Sequence, residues 1–218
     1  MFKNIEAVIF DMDGTLVDSM WVWSKIDVDF LKKRGIECPK NIKTLIQNFT
    51  LLETAQYFKD TFKLPETIEE ICSEWDKMAL EEYEKNVKLK SGAKRFIELL
   101  KSKGIKIALA TSNSELLLQV ALKSNEIFHH FDAITTSCEV TKGKGFPDIY
   151  LLSAKKLGVK PQNCLVFEDI LPAIKGAKSA GMTVIGVADE YSEFEKDHIR
   201  TLSDHYISEF NGLHEHII

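Results

Sequence analysis

Apolar and polar positions follow two rhythms along this chain. Four short runs are dominated by apolar, largely β-branched residues: Ala7-Val8-Ile9-Phe10, Ile105 to Ala110, Cys164-Leu165-Val166-Phe167 and Thr183-Val184-Ile185-Gly186-Val187. Such runs predict strands buried on both faces. Between them the apolar period lengthens. Ala93, Phe96, Ile97 and Leu100 fall on one helical face, Leu117, Val120, Ala121 and Ser124 on another, and Ile149, Leu152 and Leu157 on a third. Strands alternating with amphipathic helices predict an α/β fold, a parallel sheet joined by right-handed crossovers with helices on both faces.

The alternation fails between about Met20 and Lys88. That stretch reads as three helices, Trp21 to Arg34, roughly Leu51 to Phe62, and Thr67 to Lys85, with Gly35-Ile36-Glu37-Cys38-Pro39 and Leu64-Pro65-Glu66 between them. The expected organisation is a core of residues 1–17 and 89–218, interrupted by an inserted helical domain of residues 18–88. Ser91-Gly92 reads as the return hinge. All three tryptophans, Trp21, Trp23 and Trp75, lie in the insertion, where they either pack its helices or face a ligand.

The residues that carry chemistry sit where the apolar runs end. Asp11-Met12-Asp13-Gly14-Thr15 directly follows the first run. In extended chain, side chains two apart point the same way, so Asp11 and Asp13 can face one pocket at the strand's carboxyl end. Open α/β sheets bind their ligands there, and Gly14 permits the sharp turn that an insertion at this point needs. Two carboxylates about 4 Å apart repel by about 4 kcal/mol at an effective dielectric near ~20, so positive charge must be present. A second acidic pair, Glu168-Asp169, ends the third run. A hard divalent cation with oxygen ligands, Mg²⁺, can bind acids from both strand ends. Lys144, in Lys142-Gly143-Lys144-Gly145-Phe146-Pro147-Asp148, can add further positive charge, with Lys142 as its rival. Thr111-Ser112-Asn113 ends the second run with a hydroxyl and backbone N–H groups ahead of a helix, which makes an anion cradle. Plainer readings stand beside these: Asp11 and Asp13 as turn formers, Glu168-Asp169 as helix N-terminal acids, Thr111 as an N-cap, and Lys144 as a solvated lysine.

Composition narrows the partner. The 28 Lys and Arg against 33 Asp and Glu leave a net charge of −5 with no long block of either sign. The electrostatic footprint of nucleic acid or anionic membrane binding is therefore missing, and small molecules are the expected partners. Cys38, Cys72, Cys138 and Cys164 are scattered without a CxxC pair, which predicts free thiols in a reducing compartment. No apolar run reaches membrane-spanning length and the first residues lack a leader pattern, so a soluble cytoplasmic protein is expected. No GxGxxG follows the first run, which argues against dinucleotide binding. His129-His130 and His214-Glu215-His216 lack a supporting ligand pattern and read as surface residues.

At four points, in order, the chain resembles the haloacid dehalogenase superfamily: Asp11-x-Asp13-Gly14-Thr15, the apolar run ending in Thr111, Lys144, and Glu168-Asp169. The tail Gly176-Ala177-Lys178-Ser179-Ala180-Gly181-Met182 adds to this, and the likeness spans nearly the whole chain. It implies a Rossmann-like core with a helical cap, similar to the branch that contains phosphoglycolate phosphatases and β-phosphoglucomutases. It also implies a phosphatase acting on a small phosphorylated metabolite. Asp11 would attack phosphorus, and Asp13 would protonate the leaving oxygen and then deprotonate water. Mg²⁺ would be held by Asp11, the backbone carbonyl of Asp13, Asp169 and Glu168. Thr111, the N–H groups of Ser112 and Asn113, and Lys144 would grip the phosphoryl oxygens. Related dehalogenases lack an acid at the position of Asp13, because a departing halide needs no proton.

The chain departs from relatives at Gly145, where proline is usual, and at Ile170 and Ala173, where serine and glycine are usual. Sugar-phosphate mutases of this branch resemble a pattern with His five residues after the position of Asp18, where this chain has Trp23. Hydrolysis is favoured over a mutase or a non-catalytic phospho-switch. For Asp13 to donate a proton near neutrality its pKa should be raised. Asn48, Thr50 and Glu53 lie where such caps reach towards a site, and the cap is expected to move relative to the core.

Overall fold

The computed structural model describes residues 4–46, 49 and 51–213. In chain order the elements are β1 (Ala7–Phe10), β2 (Val17–Asp18), α1 (Trp21–Lys33), α2 (Ile42–Ile46), α3 (Leu51–Phe62), α4 (Ile68–Lys85), β3 (Lys88–Leu89), α5 (Ala93–Ser102) and β4 (Lys106–Thr111). They continue with α6 (Glu115–Ser124), β5 (Ala133–Thr136), α7 (Asp148–Leu157), β6 (Cys164–Glu168), α8 (Leu171–Ser179), β7 (Thr183–Val187), α9 (Lys196–Leu202) and β8 (His205–Ile207). The chain divides into two compact units, Met1–Ser19 with Val87–Ile218, and Met20–Asn86.

The first unit is built on a six-stranded sheet of order β5-β4-β1-β6-β7-β8, whose recorded pairings are all parallel. Alternate residues of each strand serve opposite faces. Ala7, Ile9, Ala108, Ala110, Cys164, Val166 and Val184 meet Ile149, Tyr150, Ala154, Leu157, Ile174 and Ala177 of α7 and α8. On the opposite face, Phe10 stacks on Phe167 at 5.0 Å, and both meet Phe96 of α5 and Phe210, edge-on or tilted, at 5.3 to 6.2 Å. Helices therefore cover both faces, as the apolar periodicity predicts. Strands β5 and β8 are additions to the four predicted. Both lie at sheet edges, where a strand needs neither full burial nor an unbroken apolar run.

Register positions the candidate site. Phe10 pairs with Leu109 on one side and with Phe167 on the other, so the residues that follow come level at the carboxyl edge of three adjacent strands. Strand order reverses at β1, between β4 and β6, which is where open α/β sheets leave a crevice. Gly14 at φ +78° makes the turn after β1, and its N–H donates to Val17 O at 3.0 Å. β2 and β3 then pair antiparallel, Val17 with Leu89 and Asp18 with Lys88, where the chain leaves and re-enters this unit.

Among the described residues, the second unit holds helices and no strand. The pattern predicts three of its helices, and α2, only five residues long, falls below the length that periodicity detects. Its core is aromatic: Phe30, Phe58 and Trp75 meet pairwise at ring distances of 5.1 to 6.2 Å. Trp75 is a buried packing residue, whereas Trp21 and Trp23 are partly exposed. A capping box starts α4, with Thr67 Oγ1 accepting from Glu70 N at 3.2 Å and Glu70 Oε2 accepting from Thr67 N at 2.8 Å. Thr67→Ala is expected to destabilise this unit by about 1 kcal/mol. A change in its thermal melt of that size, without change in the melt of the sheet unit, checks it.

Candidate active site

The three adjacent strand ends deliver Asp11, Thr111 and the Glu168-Asp169 pair to one place. Asp11 follows β1, its N–H donating to Phe167 O at 3.0 Å, which ties it to β6. The carboxylates of Asp11, Glu168 and Asp169 come within 4.8 Å of one another, and all three residues are buried. Lys144 reaches between them from the loop before α7, its Nζ 2.5 Å from Asp11 Oδ1 and 2.5 Å from Glu168 Oε1. Its rival Lys142 is exposed and lies over the Phe146 ring at 4.9 Å.

Gly176 explains how Lys144 is delivered. A Cβ at that position of α8 would collide with the carbonyl oxygen of Lys144 and come within 2.8 Å of that of Phe146. The loop can therefore rest directly on the helix backbone.

Charge in this cluster does not balance. Burial opposes a charge on Lys144, yet Asp11 and Glu168 outweigh it and hold the ammonium above its ordinary value. Burial, reinforced by the neighbouring Asp11 charge, pushes Glu168 up to about 7 despite Lys144 and Tyr150. Asp169 is held well above the usual carboxylate range, first by burial and then by Asp11 and Glu168. One ammonium thus faces three carboxylates. Glu168 Oε2 and Asp169 Oδ2 are buried without a hydrogen-bond partner, a costly condition for acid oxygens. An all-oxygen donor set with unpaired, charge-rich oxygens fits a hard divalent cation such as Mg²⁺.

Asp13 is held apart from that cluster. Ser19 Oγ donates to its Oδ1 at 2.6 Å and Asn113 Nδ2 to its Oδ2 at 2.9 Å, so both oxygens are oriented. Thr111 is fully buried, and its Oγ1 accepts from Asn113 N at 3.0 Å. That N–H, expected to belong to the anion cradle, is engaged locally. Ser112 is exposed and its Oγ accepts from Ser137 Oγ at 3.0 Å. The N-cap of α6 is Ser114, not Thr111.

Three participants escape sequence reasoning. Thr15 Oγ1 donates to Asp169 Oδ1 at 2.9 Å, Ser19 holds Asp13, and the Tyr150 hydroxyl donates to Glu168 Oε1 at 2.8 Å. Thr15 sits inside the quoted motif, which is the one available signal; the others depend on tertiary placement. Of the residues expected to reach from the insertion towards a site, Glu53 is exposed on α3, while Asn48 and Thr50 lie outside the described residues, as do His214 and His216. His129 is exposed and His130 is partly buried. No helix among the described residues is long and apolar enough to cross a membrane.

Comparison with known proteins follows the same residues. A family model described as haloacid dehalogenase-like hydrolase matches residues 8–187. The bifunctional riboflavin kinase/FMN phosphatase of Arabidopsis thaliana is 33% identical over 207 residues, covering 94% of this chain and 54% of that protein. The chain thus spans about half the length of that relative. A probable pseudouridine-5'-phosphatase of Drosophila melanogaster is 29% identical over 202 residues, covering 90% of this chain and 87% of the relative. Among solved structures, a putative β-phosphoglucomutase from Thermotoga maritima superposes with a TM-score of 0.83 at 26% identity, covering 93% of this chain and 94% of the other.

Proposed function

Because the chain belongs to the haloacid dehalogenase-like hydrolases, we propose that it is a Mg²⁺-dependent phosphatase that hydrolyses a small-molecule phosphomonoester through an aspartyl-phosphate on Asp11. The observation that carries this is the meeting of Asp11, Glu168 and Asp169 within 4.8 Å, bridged by Lys144. Asp11 attacks phosphorus, forming the Asp11–phosphorus bond as the bond to the leaving oxygen breaks. Asp13 gives its proton to that oxygen, then takes one from the water that attacks the aspartyl-phosphate, releasing phosphate and freeing Asp11. Ser19 and Asn113 hold Asp13 in the orientation for both transfers. Thr111, Ser112 and Lys144 bind phosphoryl oxygens, Lys144 leaving its carboxylate partners to do so, and Asn113 joins them only by releasing its N–H from Thr111 Oγ1. Asp11, Glu168, Asp169 and the Asp13 carbonyl would hold Mg²⁺, which when bound neutralises the oxygens of the phosphoryl group.

The names of the relatives support a substrate class. FMN and pseudouridine 5'-phosphate both carry phosphate on the terminal oxygen of a hydroxylated five-carbon unit, and we take a sugar-type phosphate of this kind as the substrate. The helical unit is the cap that selects among such compounds. The enzyme works in a reducing compartment, the cytoplasm, consistent with its four free cysteines.

The test is release of inorganic phosphate from an aryl phosphate and from a panel of sugar phosphates. Activity should need Mg²⁺ and vanish with EDTA. Isomerised sugar phosphate without phosphate release would install a mutase instead, and inactivity across the panel a phospho-switch. In Asp13→Asn the phosphorylation step, read as the pre-steady-state release of the leaving group, should slow by about 10²- to 10⁴-fold for a poor leaving group and much less for an activated aryl phosphate, while loss of phosphate from Asp11 slows for both. Equal effects on the phosphorylation step of both substrates would remove Asp13 from the role of acid.

A further inference from the structure

Tyr150 of α7 is fully buried, and its hydroxyl donates to Glu168 Oε1 at 2.8 Å. Lys144 Nζ lies 2.5 Å from the same oxygen. Two donors therefore converge on one oxygen of Glu168, while Oε2, equally buried, has no partner. A carboxylate gripped twice at one oxygen cannot turn, and the direction of the other oxygen is fixed with it. The arrangement also answers a difficulty in the mechanism. If Lys144 swings towards a phosphoryl oxygen, Glu168 loses its ammonium, and only the Tyr150 hydroxyl still holds it in place.

We propose that Tyr150 is a positioning residue for the cation site, its hydroxyl holding Glu168 Oε1 so that Oε2 is presented to Mg²⁺ whether or not Lys144 is engaged with substrate. The inference rests on the Mg²⁺ reading above and goes beyond it, since Tyr150 would act through Glu168 and not on the cation itself. Groups that orient a metal ligand typically alter metal affinity by 10- to 100-fold when removed.

The test is Mg²⁺ titration calorimetry on the full-length protein without substrate. Tyr150→Phe keeps the ring that packs in the core and removes only the hydroxyl. Its Mg²⁺ Kd should rise by about 10-fold, and Mn²⁺ binding followed by electron paramagnetic resonance should weaken in parallel. KM for an aryl phosphate at saturating Mg²⁺ should stay within about 2-fold of wild type, a split that general loosening of the core would not produce. In a Glu168→Gln background, Tyr150→Phe should add no further weakening. Unchanged Mg²⁺ affinity in Tyr150→Phe, or a full additional loss in the Glu168→Gln background, overturns the proposal and leaves the phosphatase reading standing. Absence of Mg²⁺ binding by the wild-type protein overturns both, and the two failures are told apart by the wild-type titration alone.

Discussion

Asp11→Asn should lower phosphate release by on the order of 10⁴-fold or more, with the fold intact and substrate still bound. The amide keeps the size of the side chain and its backbone link to Phe167 O, but it is not a nucleophile. It also cuts the excess of buried carboxylates from three to two around one ammonium, with Glu168 still paired to Lys144, so the metal-free variant should melt no lower than wild type. Steady-state assay with an activated aryl phosphate, together with a melt, checks both halves. Residual activity near the wild-type level would mean that another group attacks phosphorus.

Asp169→Asn has the second large effect, and it runs in opposite directions for function and stability. The buried acids are a liability in the metal-free chain, where burial and then the Asp11 charge raise Glu168 to about 7 and hold Asp169 well above its ordinary range. Unfolded, such groups release protons near their ordinary values, 4.5 for Glu168 and 3.8 for Asp169. Between those pH values the folded chain binds more protons than the unfolded one, so its stability is fully present at the acid end and falls as pH rises towards about 7. Mg²⁺ favours the ionised carboxylates and should reverse that loss. Asparagine at 169 keeps an oxygen for Thr15 and offers an N–H₂ to the facing acids. We expect Asp169→Asn to be inactive, to melt roughly 3 to 6 °C higher than metal-free wild type at about pH 8, and to show a flatter pH dependence. Added Mg²⁺ should raise the wild-type midpoint and leave the variant unmoved. A variant that melts lower, or that responds to Mg²⁺ like wild type, would show that Asp169 is not part of an unpaired, cation-seeking cluster.

The parts of this architecture that were legible in the sequence are those where local pattern and tertiary role coincide. β1, β4, β6 and β7 are buried on both faces, so their apolar runs are unbroken, and acids placed at their ends stand out against them. β5 escapes because Ala133-Ile134-Thr135-Thr136 is half-buried at a sheet edge, and β8 because His205-Tyr206-Ile207 is short and partly exposed. In both cases the parallel partner, not the residues themselves, stabilises the strand. The same distinction holds in the site. Asp11 and Asp13 declare themselves by spacing, but the link from Thr15 to Asp169 closes across 154 positions and that from Lys144 to Asp11 across 133. Nothing local in Lys142-Gly143-Lys144 favours the second lysine. The contact of its loop with Gly176 decides the matter, and that contact exists only in the folded molecule.

The covalent step can be observed by acid-quenching the Asp13→Asn variant during turnover of an activated aryl phosphate with Mg²⁺, then locating the added phosphoryl group by peptide mass spectrometry. Slowed dephosphorylation should leave a phosphoryl group on the peptide containing Asp11, absent when Asp11 is also replaced by Asn. Turnover that proceeds with no phosphoprotein at any quench time, or a label on a different residue, would contradict the nucleophilic role of Asp11.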